Sequence, residues 1–304
     1  MSKIVSYMAL LMSMFIVQQS AYATCKKDGV WLQVLGSGGP EIDDGRASSS
    51  YLIWHNGKAR ILIDAGSGSA LQFEKSDARL NDLDLILLSH MHVDHSNDLP
   101  AIIKASYFSN RNRDLNVYGP TANDLMPSMT GFVNKLFSKN GAYPYLSDYL
   151  DDTENYRIIA HDIDASKKSE MLVRNDDLYK ISAVAVHHGP IPSLAWRVEI
   201  DGQSLLFSGD MTNQYNTLAT LAKSANLLVA HHAIAEQAGR VSRNLHMPPS
   251  VIGKIAAQAQ VKTLVLSHRM NRIQGKEGES LMQIRRSYSG PVQFADDLEC
   301  FEPL

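Results

Sequence analysis

Cysteine is close to absent from this chain. Two occur in 304 residues, Cys25 and Cys300, and neither sits among the histidines, which excludes a thiolate ligand set for a metal. In an oxidising compartment the pair could join the ends of the mature chain if their Cα atoms come within about 7 Å. Two unrelated thiols are the alternative, and the sequence does not choose. Basic charge is scarce as well: 29 Lys and Arg against 32 Asp and Glu leave a net −3. Nucleic-acid binding usually rests on a basic surface, so nucleic acid is disfavoured as a partner relative to a small molecule. There is no internal repeat and no low-complexity tract.

Long apolar runs are missing too. The longest, Met8 to Val17, is broken by Ser13 and falls short of the roughly 20 residues a bilayer span requires. Lys3 precedes this run and Ala21-Tyr22-Ala23 follows it. That arrangement reads as a secretory signal peptide over residues 1–23, cut after Ala23, with an uncleaved anchor as the alternative. Residues 24–304 are then a single domain, periplasmic or secreted, with no membrane span after cleavage. A homodimer is compatible with the sequence, which does not fix the oligomeric state.

Histidine, in contrast, is concentrated. An apolar run from Leu83 to Leu88 ends in Ser89-His90-Met91-His92-Val93-Asp94-His95. A buried strand that delivers ligands into a tight loop makes a rigid metal site. Imidazoles with a carboxylate suit zinc or iron. In an extended segment His90 and His92 point the same way, while Asp94 and His95 fall where the chain turns into a helix and can face a second ion.

The same design recurs along the chain. Ile181 to Val186 ends in His187-His188-Gly189. The hairpin strand Ser204 to Ser208 ends in Gly209-Asp210. Leu227 to Ala230 ends in His231-His232, and Val261 to Leu266 ends in Ser267-His268. His246 stands just before a helix over 251–260, with Pro249 suited to its start. The opening, 30–35, 51–54 and 60–66 with an Asn56-Gly57 turn, is antiparallel β structure. Gly36 to Gly39, taken alone, is a structural turn. Residues 124–177 show helical spacing at Leu125, Met129, Phe132, Val133 and Leu136, with Thr121 as the cap. Tyr143, Tyr145, Tyr149 and Tyr156 follow and read as an ordinary connection in preference to a substrate-facing insertion. His55 and His161 read as surface histidines.

The loop His90-x-His92-x-Asp94-His95 behind an apolar strand resembles the signature of the metallo-β-lactamase superfamily. More narrowly it resembles the ribonuclease Z and arylsulfatase-like phosphodiesterase branch. Leu35 to Gly39 is similar to that family's first glycine turn, and Leu62-Ile63-Asp64-Ala65-Gly66 to its Asp-x-Gly turn, whose aspartate braces the ligand loop without binding metal. The His188-Gly189 pair, followed by Pro192 to Val198, resembles the family's third ligand segment and selects His188 over His187. Where such sequences usually carry a glutamate this chain has His231 and His232, which line the pocket or fill a buried structural role.

The resemblance, together with the strand and helix order, implies an α/β fold, an αββα four-layer sandwich of two mostly antiparallel or mixed sheets flanked by helices. It implies one ion on His90, His92 and His188, another on Asp94, His95 and His268, and Asp210 bridging them. The expected cofactor is two Zn2+, with Mn2+ or Fe2+ as alternatives. A hydroxide shared by the ions would attack a phosphodiester or related ester, Asp94 would orient it, and His246 would protonate or steady the leaving oxygen. β-Lactam or lactone hydrolysis ranks lower, because true β-lactamases generally place histidine or cysteine where Asp210 stands. Diiron relatives replace the second loop histidine with glutamate, so His92 favours hydrolysis; a mono-iron sulfur dioxygenase is a further alternative. A non-catalytic binding module is disfavoured, since all seven ligand positions are present.

Overall fold

The structure is a computed structural model, and it describes Cys25 and residues 28–303. The signal-peptide expectation for residues 1–23 lies outside the described residues. Among these residues no helix is long and apolar enough to cross a membrane.

Among the described residues, fourteen strands form two seven-stranded sheets. The first contains β1 (Val30–Gly36), β2 (Ser50–His55), β3 (Lys58–Ile63), β4 (Leu85–Leu87), β5 (Leu115–Pro120) and β6 (Ile158–Ile163). The second contains β7 (Met171–Asn175), β8 (Lys180–His188), β9 (Ile191–Ile200), β10 (Gln203–Phe207), β11 (Leu227–His231), β12 (Thr263–Ser267) and β13 (Val292–Phe294). The last strand, β14 (Cys300–Phe301), returns to the first sheet, giving the orders β14-β1-β2-β3-β4-β5-β6 and β13-β12-β11-β10-β9-β8-β7. Each sheet is mixed: β3 to β6 and β10 to β13 are parallel, and the other pairs are antiparallel.

The apolar runs are continuous because both faces of each sheet are covered. In β4, Leu85 and Leu87 face the other sheet, whereas Ile86 packs under helices α1 (Ser69–Lys75), α3 (Leu99–Ser106) and α4 (Met129–Phe137). In β11, Leu227 and Val229 point between the sheets, and Leu228 and Ala230 lie under α5 (Leu218–Leu221), α7 (Pro249–Gln258) and α8 (Glu277–Arg285). This period of two produces three apolar layers and four structural layers, the αββα sandwich expected from the sequence. The hairpins are also as expected, with positive φ at Asn56 and Gly57 and at Asp201 and Gly202.

The segment 124–177 departs from the expectation. Its first helix starts at Met129, capped by Ser128, whose hydroxyl accepts from the Gly131 N–H at 3.2 Å. Thr121 instead accepts from the Ala165 N–H at 3.1 Å. Two strands, β6 and β7, occupy residues that show no clear alternation, because they are half-buried edge strands. Tyr149 and Tyr156 are core residues beneath the first sheet, in line with an ordinary connection. His161 is half-buried, stacked on Tyr118 with ring centres 4.3 Å apart, and bonds Asn116 at 2.7 Å, so it is not a free surface histidine. His55 is likewise half-buried, 3.6 Å from Asp201.

The cysteine question is resolved. Cys25 and Cys300 form a disulfide, with Cα atoms 5.5 Å apart across 275 positions. The bond ties the start of the described chain to β14, which pairs with β1 at Gln33. Replacing Cys300 with serine should cost about 2–4 kcal/mol of stability. Thermal unfolding with and without reductant checks this: reductant should lower the midpoint of the natural protein and leave Cys300→Ser unmoved.

Candidate metal centre

The ligand loop is held from behind by Asp64. This residue ends β3 in the left-handed region, at φ 55°, an unusual conformation for a residue with a Cβ. The turn directs its carboxylate into the loop, where it accepts from the Ser89 N–H at 2.7 Å, the Ser89 hydroxyl at 2.8 Å and His95 Nδ1 at 2.8 Å. Gly66 permits the close approach, since a Cβ there would lie 2.2 Å from the Asp94 carbonyl oxygen. The second sheet clamps the other side: the Leu194 N–H donates to Ser89 O at 2.9 Å, and Trp196 Nε1 to Leu88 O at 3.2 Å.

All the predicted ligands converge. His90 Nε2 and His188 Nε2 lie 3.0 and 3.3 Å from His92 Nδ1. Asp210 Oδ2 is 4.0 Å from His90 Nε2 and 3.6 Å from His188 Nε2. The one-turn helix α2 (Val93–Ser96) supplies Asp94 and His95. Asp94 Oδ2 is 3.6 Å from His95 Nε2 and 3.2 Å from His268 Nε2. Asp210 stands between the two groups, with Oδ2 3.7 Å from His95 Nε2 and Oδ1 3.4 Å from His268 Nε2. The glycine turn after β1 packs against the last ligand, since a Cβ on Gly39 would meet His268 Cε1 at 3.1 Å.

The protonation pattern fits a metal. The outward nitrogen of His188 donates to Leu245 O at 2.7 Å. His95 Nδ1 donates to Asp64, and His90 Nδ1 to the Ser89 hydroxyl at 3.0 Å. Each ring therefore presents a lone pair inward. His95 Nε2 is buried with no hydrogen-bond partner among the described residues. A single proton on His92 Nδ1 could satisfy only one of the two nitrogens facing it; a cation satisfies all three. Burial, reinforced by neighbouring imidazoles, pushes His90 well down, and burial lowers His188 as well. Burial opposes charge on Asp210, but His268 outweighs it, helped by hydrogen bonds from His231 and His95, and the carboxylate is held ionised. Neutral imidazoles and ionised carboxylates are the states that bind metal.

A family model described as the Beta-lactamase superfamily domain matches residues 59–269, a span that runs from β3 through the last ligand. The chain belongs to this superfamily. It is 24% identical over 298 residues to the ribonuclease Z of Methanosarcina mazei, covering 88% of this chain and 97% of that one. Among solved structures it resembles the metallo-β-lactamase fold protein YhfI from Bacillus subtilis, with a TM-score of 0.70 at 20% identity, covering 90% of this chain and 99% of that one. Human tRNase Z, short form, gives a TM-score of 0.69 at 20% identity, with the same coverage.

Between neighbouring histidines the structure is decisive. His188 faces the cluster, while His187 is half-buried, bonding the Thr212 hydroxyl at 2.9 Å and meeting Tyr215 edge-on. His246 reaches the site, with Nδ1 3.7 Å from Asp210 Oδ2. His231, left undecided by the sequence, lies against the second group, with Nδ1 2.8 Å from Asp210 Oδ1. His232 turns away beneath α8 and bonds the Ser280 hydroxyl at 2.9 Å. The alternation of β11 carries the signal, since residue 231 shares the inter-sheet side with Leu227 and Val229.

Two outcomes follow. Asp64→Ala should weaken metal retention about 10- to 100-fold, read by titration with a chelator. His232, which faces Ser280, Phe294, Arg269 and Glu277, is pushed down to about 4 by burial, with Arg269 adding to the effect. Its folded value lies below the ordinary 6.5, so the unfolded chain takes up the proton first. The stability is complete above pH 6.5 and is lost toward pH 4, by up to about 3 kcal/mol. His232→Gln keeps a donor for Ser280 and should flatten that part of the fall in unfolding midpoint between pH 7 and 5.

Proposed function

We propose that this protein is a two-metal hydrolase of a phosphodiester or a closely related anionic ester. The observation that carries this reading is the convergence around Asp210 of six donor side chains, four from the loop after β4 with His188 and His268 from two other strand ends. His90, His92 and His188 would hold one ion and Asp94, His95 and His268 the other, with Asp210 shared. Nitrogen and carboxylate donors without sulfur suit zinc, with Mn2+ or Fe2+ as alternatives. Bound ions would acidify a water and neutralise charge on the ester oxygens.

The side chains supply the rest. Asp94, ionised and beside His268, accepts a hydrogen bond from the attacking water and aims it. His246 stands over Asp210 and steadies the leaving oxygen. Burial pushes this imidazole down to about 3, so it acts as a neutral N–H donor. A weak donor suits an ester whose leaving group is a stable anion, such as an aryl alcohol. Arg272, fixed by its Nε to Ala233 O at 2.7 Å, lies near enough for its charge to act on both Asp210 and His246, which favours a negatively charged ester.

An RNA phosphodiester is the second reading, supported by the near full-length similarity to a ribonuclease Z. The net charge of −3 counts against it. So does export: we place the mature protein in the periplasm or outside the cell, a reading supported by the leader pattern and by the Cys25–Cys300 disulfide.

The zinc-loaded mature protein should be assayed on a bis-aryl phosphate, an aryl sulfate, a lactone, a cephalosporin and a precursor tRNA. The bis-aryl phosphate should turn over fastest. Turnover confined to the lactone or cephalosporin would overturn the reading, as would oxygen uptake by an iron-loaded form. His246→Ala should cut turnover about 10²- to 10⁴-fold with metal content intact, and loss of metal in that variant would rule out the leaving-group role.

A further inference from the structure

We propose that Tyr51 and His231 form a positioning relay across the two sheets that fixes the carboxylate plane of Asp210; this rests on the two-ion reading above. His231 ends β11 in the second sheet, and Tyr51 lies on β2 in the first. His231 Nδ1 is 2.8 Å from Asp210 Oδ1, and His231 Nε2 is 3.0 Å from the Tyr51 hydroxyl. His231 and Tyr51 are 2% and 0% exposed, and the Tyr51 ring is wedged against Phe207 and His231.

The donors fix the orientation. The Asp210 carboxylate has no hydrogen to give, so Nδ1–H donates to Oδ1. The opposite ring nitrogen, Nε2, meets the Tyr51 hydroxyl at 3.0 Å, so the ring is pinned at both ends, between Tyr51 and Asp210. Oδ1 is then committed between His231 and His268, while Oδ2 faces His90 and His188.

His231 acts on the carboxylate and not as a ligand. Its 2.8 Å contact is a charge-assisted hydrogen bond, shorter than the 3.0–4.0 Å separations among the ligand atoms. The fourth position of that group is already served by Asp94, 3.2 Å from His268. Asp210 also needs such a hold, because it follows Gly209 in a positive-φ turn, and His231 makes the shortest contact to Oδ1, ahead of His268 at 3.4 Å.

The test compares Tyr51→Phe, His231→Leu and His231→Asn with the natural protein. Metal stoichiometry and affinity are read by chelator titration, and the ligand field by the visible spectrum of the cobalt form. His231→Leu should lose about 10- to 100-fold in affinity for the weaker ion, with an altered cobalt spectrum and a fall in kcat larger than the change in KM. His231→Asn, which keeps an N–H near the Nδ1 position, should recover most of this. Tyr51→Phe should bind two ions and show a smaller loss of the same kind. Natural affinity and an unchanged spectrum in both His231→Leu and Tyr51→Phe would sink the relay while leaving the two-ion reading standing. Failure of His231→Asn to recover an ion that His231→Leu has lost would make His231 a ligand and overturn the relay. A natural protein that binds fewer than two ions would overturn both. Should His231→Leu fail to fold, Tyr51→Phe and His231→Asn decide the matter by themselves.

Discussion

Seven imidazoles, those of His90, His92, His95, His188, His231, His246 and His268, crowd the carboxylates of Asp94 and Asp210 in one largely buried pocket, and that crowding governs everything around it. Burying an ionised carboxylate costs far more than any single hydrogen bond returns unless positive charge comes with it. Asp94 and Asp210 are nonetheless held ionised. His95 is driven upward: burial opposes its charge, yet Asp94 and Asp64 outweigh that cost. The pocket therefore draws positive charge toward its own ligands. Bound divalent cations would meet that demand without protonating the inward-facing nitrogens. Much of the surrounding architecture can be understood as keeping those lone pairs aimed while no water replaces the cation.

The sandwich achieves this by division of labour between its sheets. The first supplies the ligand loop after β4 and its brace, Asp64, after β3. The second supplies His188, Asp210 and His268 from the ends of β8, β10 and β12. Neither sheet holds a complete ligand set, so the seam between them must be stiff. Trp196 and Leu194 bond the backbone of Leu88 and Ser89 from across that seam, and Tyr51 reaches back from the first sheet to His231. Packing here does chemical work, because a shift in sheet spacing would separate the two halves of the site.

Much of this was legible in the sequence, because the physical signals were strong. Apolar runs of five or six residues that stop at a histidine or aspartate announce both a buried strand and its cargo. The convergence of the residues from His90 to His268 was readable on that basis, with the family resemblance selecting His188 over His187. The edge strands β6 and β7 were not legible, since half-buried edges carry mixed polarity and lose strict alternation. His231 was left undecided for another reason. Its residue type suits a ligand and a support alike, and the contact with Tyr51 on the other sheet is not visible in the sequence. The disulfide was illegible in principle, because it depends on where β14 returns.

His246 shows where the chain departs from the pattern it resembles. Sequences of the ribonuclease Z type usually carry a glutamate where His231 and His232 stand, and a carboxylate in that neighbourhood would make a nearby imidazole more basic. Here His231 is bound to Asp210 and Tyr51, and His232 is sealed against Ser280, so neither offers a carboxylate. The Nδ1 of His246 has no hydrogen-bond partner among the described residues, and its ring stays neutral. A neutral donor can steady a leaving oxygen but pushes a proton onto it poorly. Within the proposed function, the site thus relies on leaving groups that depart as stable anions, and selectivity among esters falls to the chemistry of the leaving oxygen more than to the shape of the pocket.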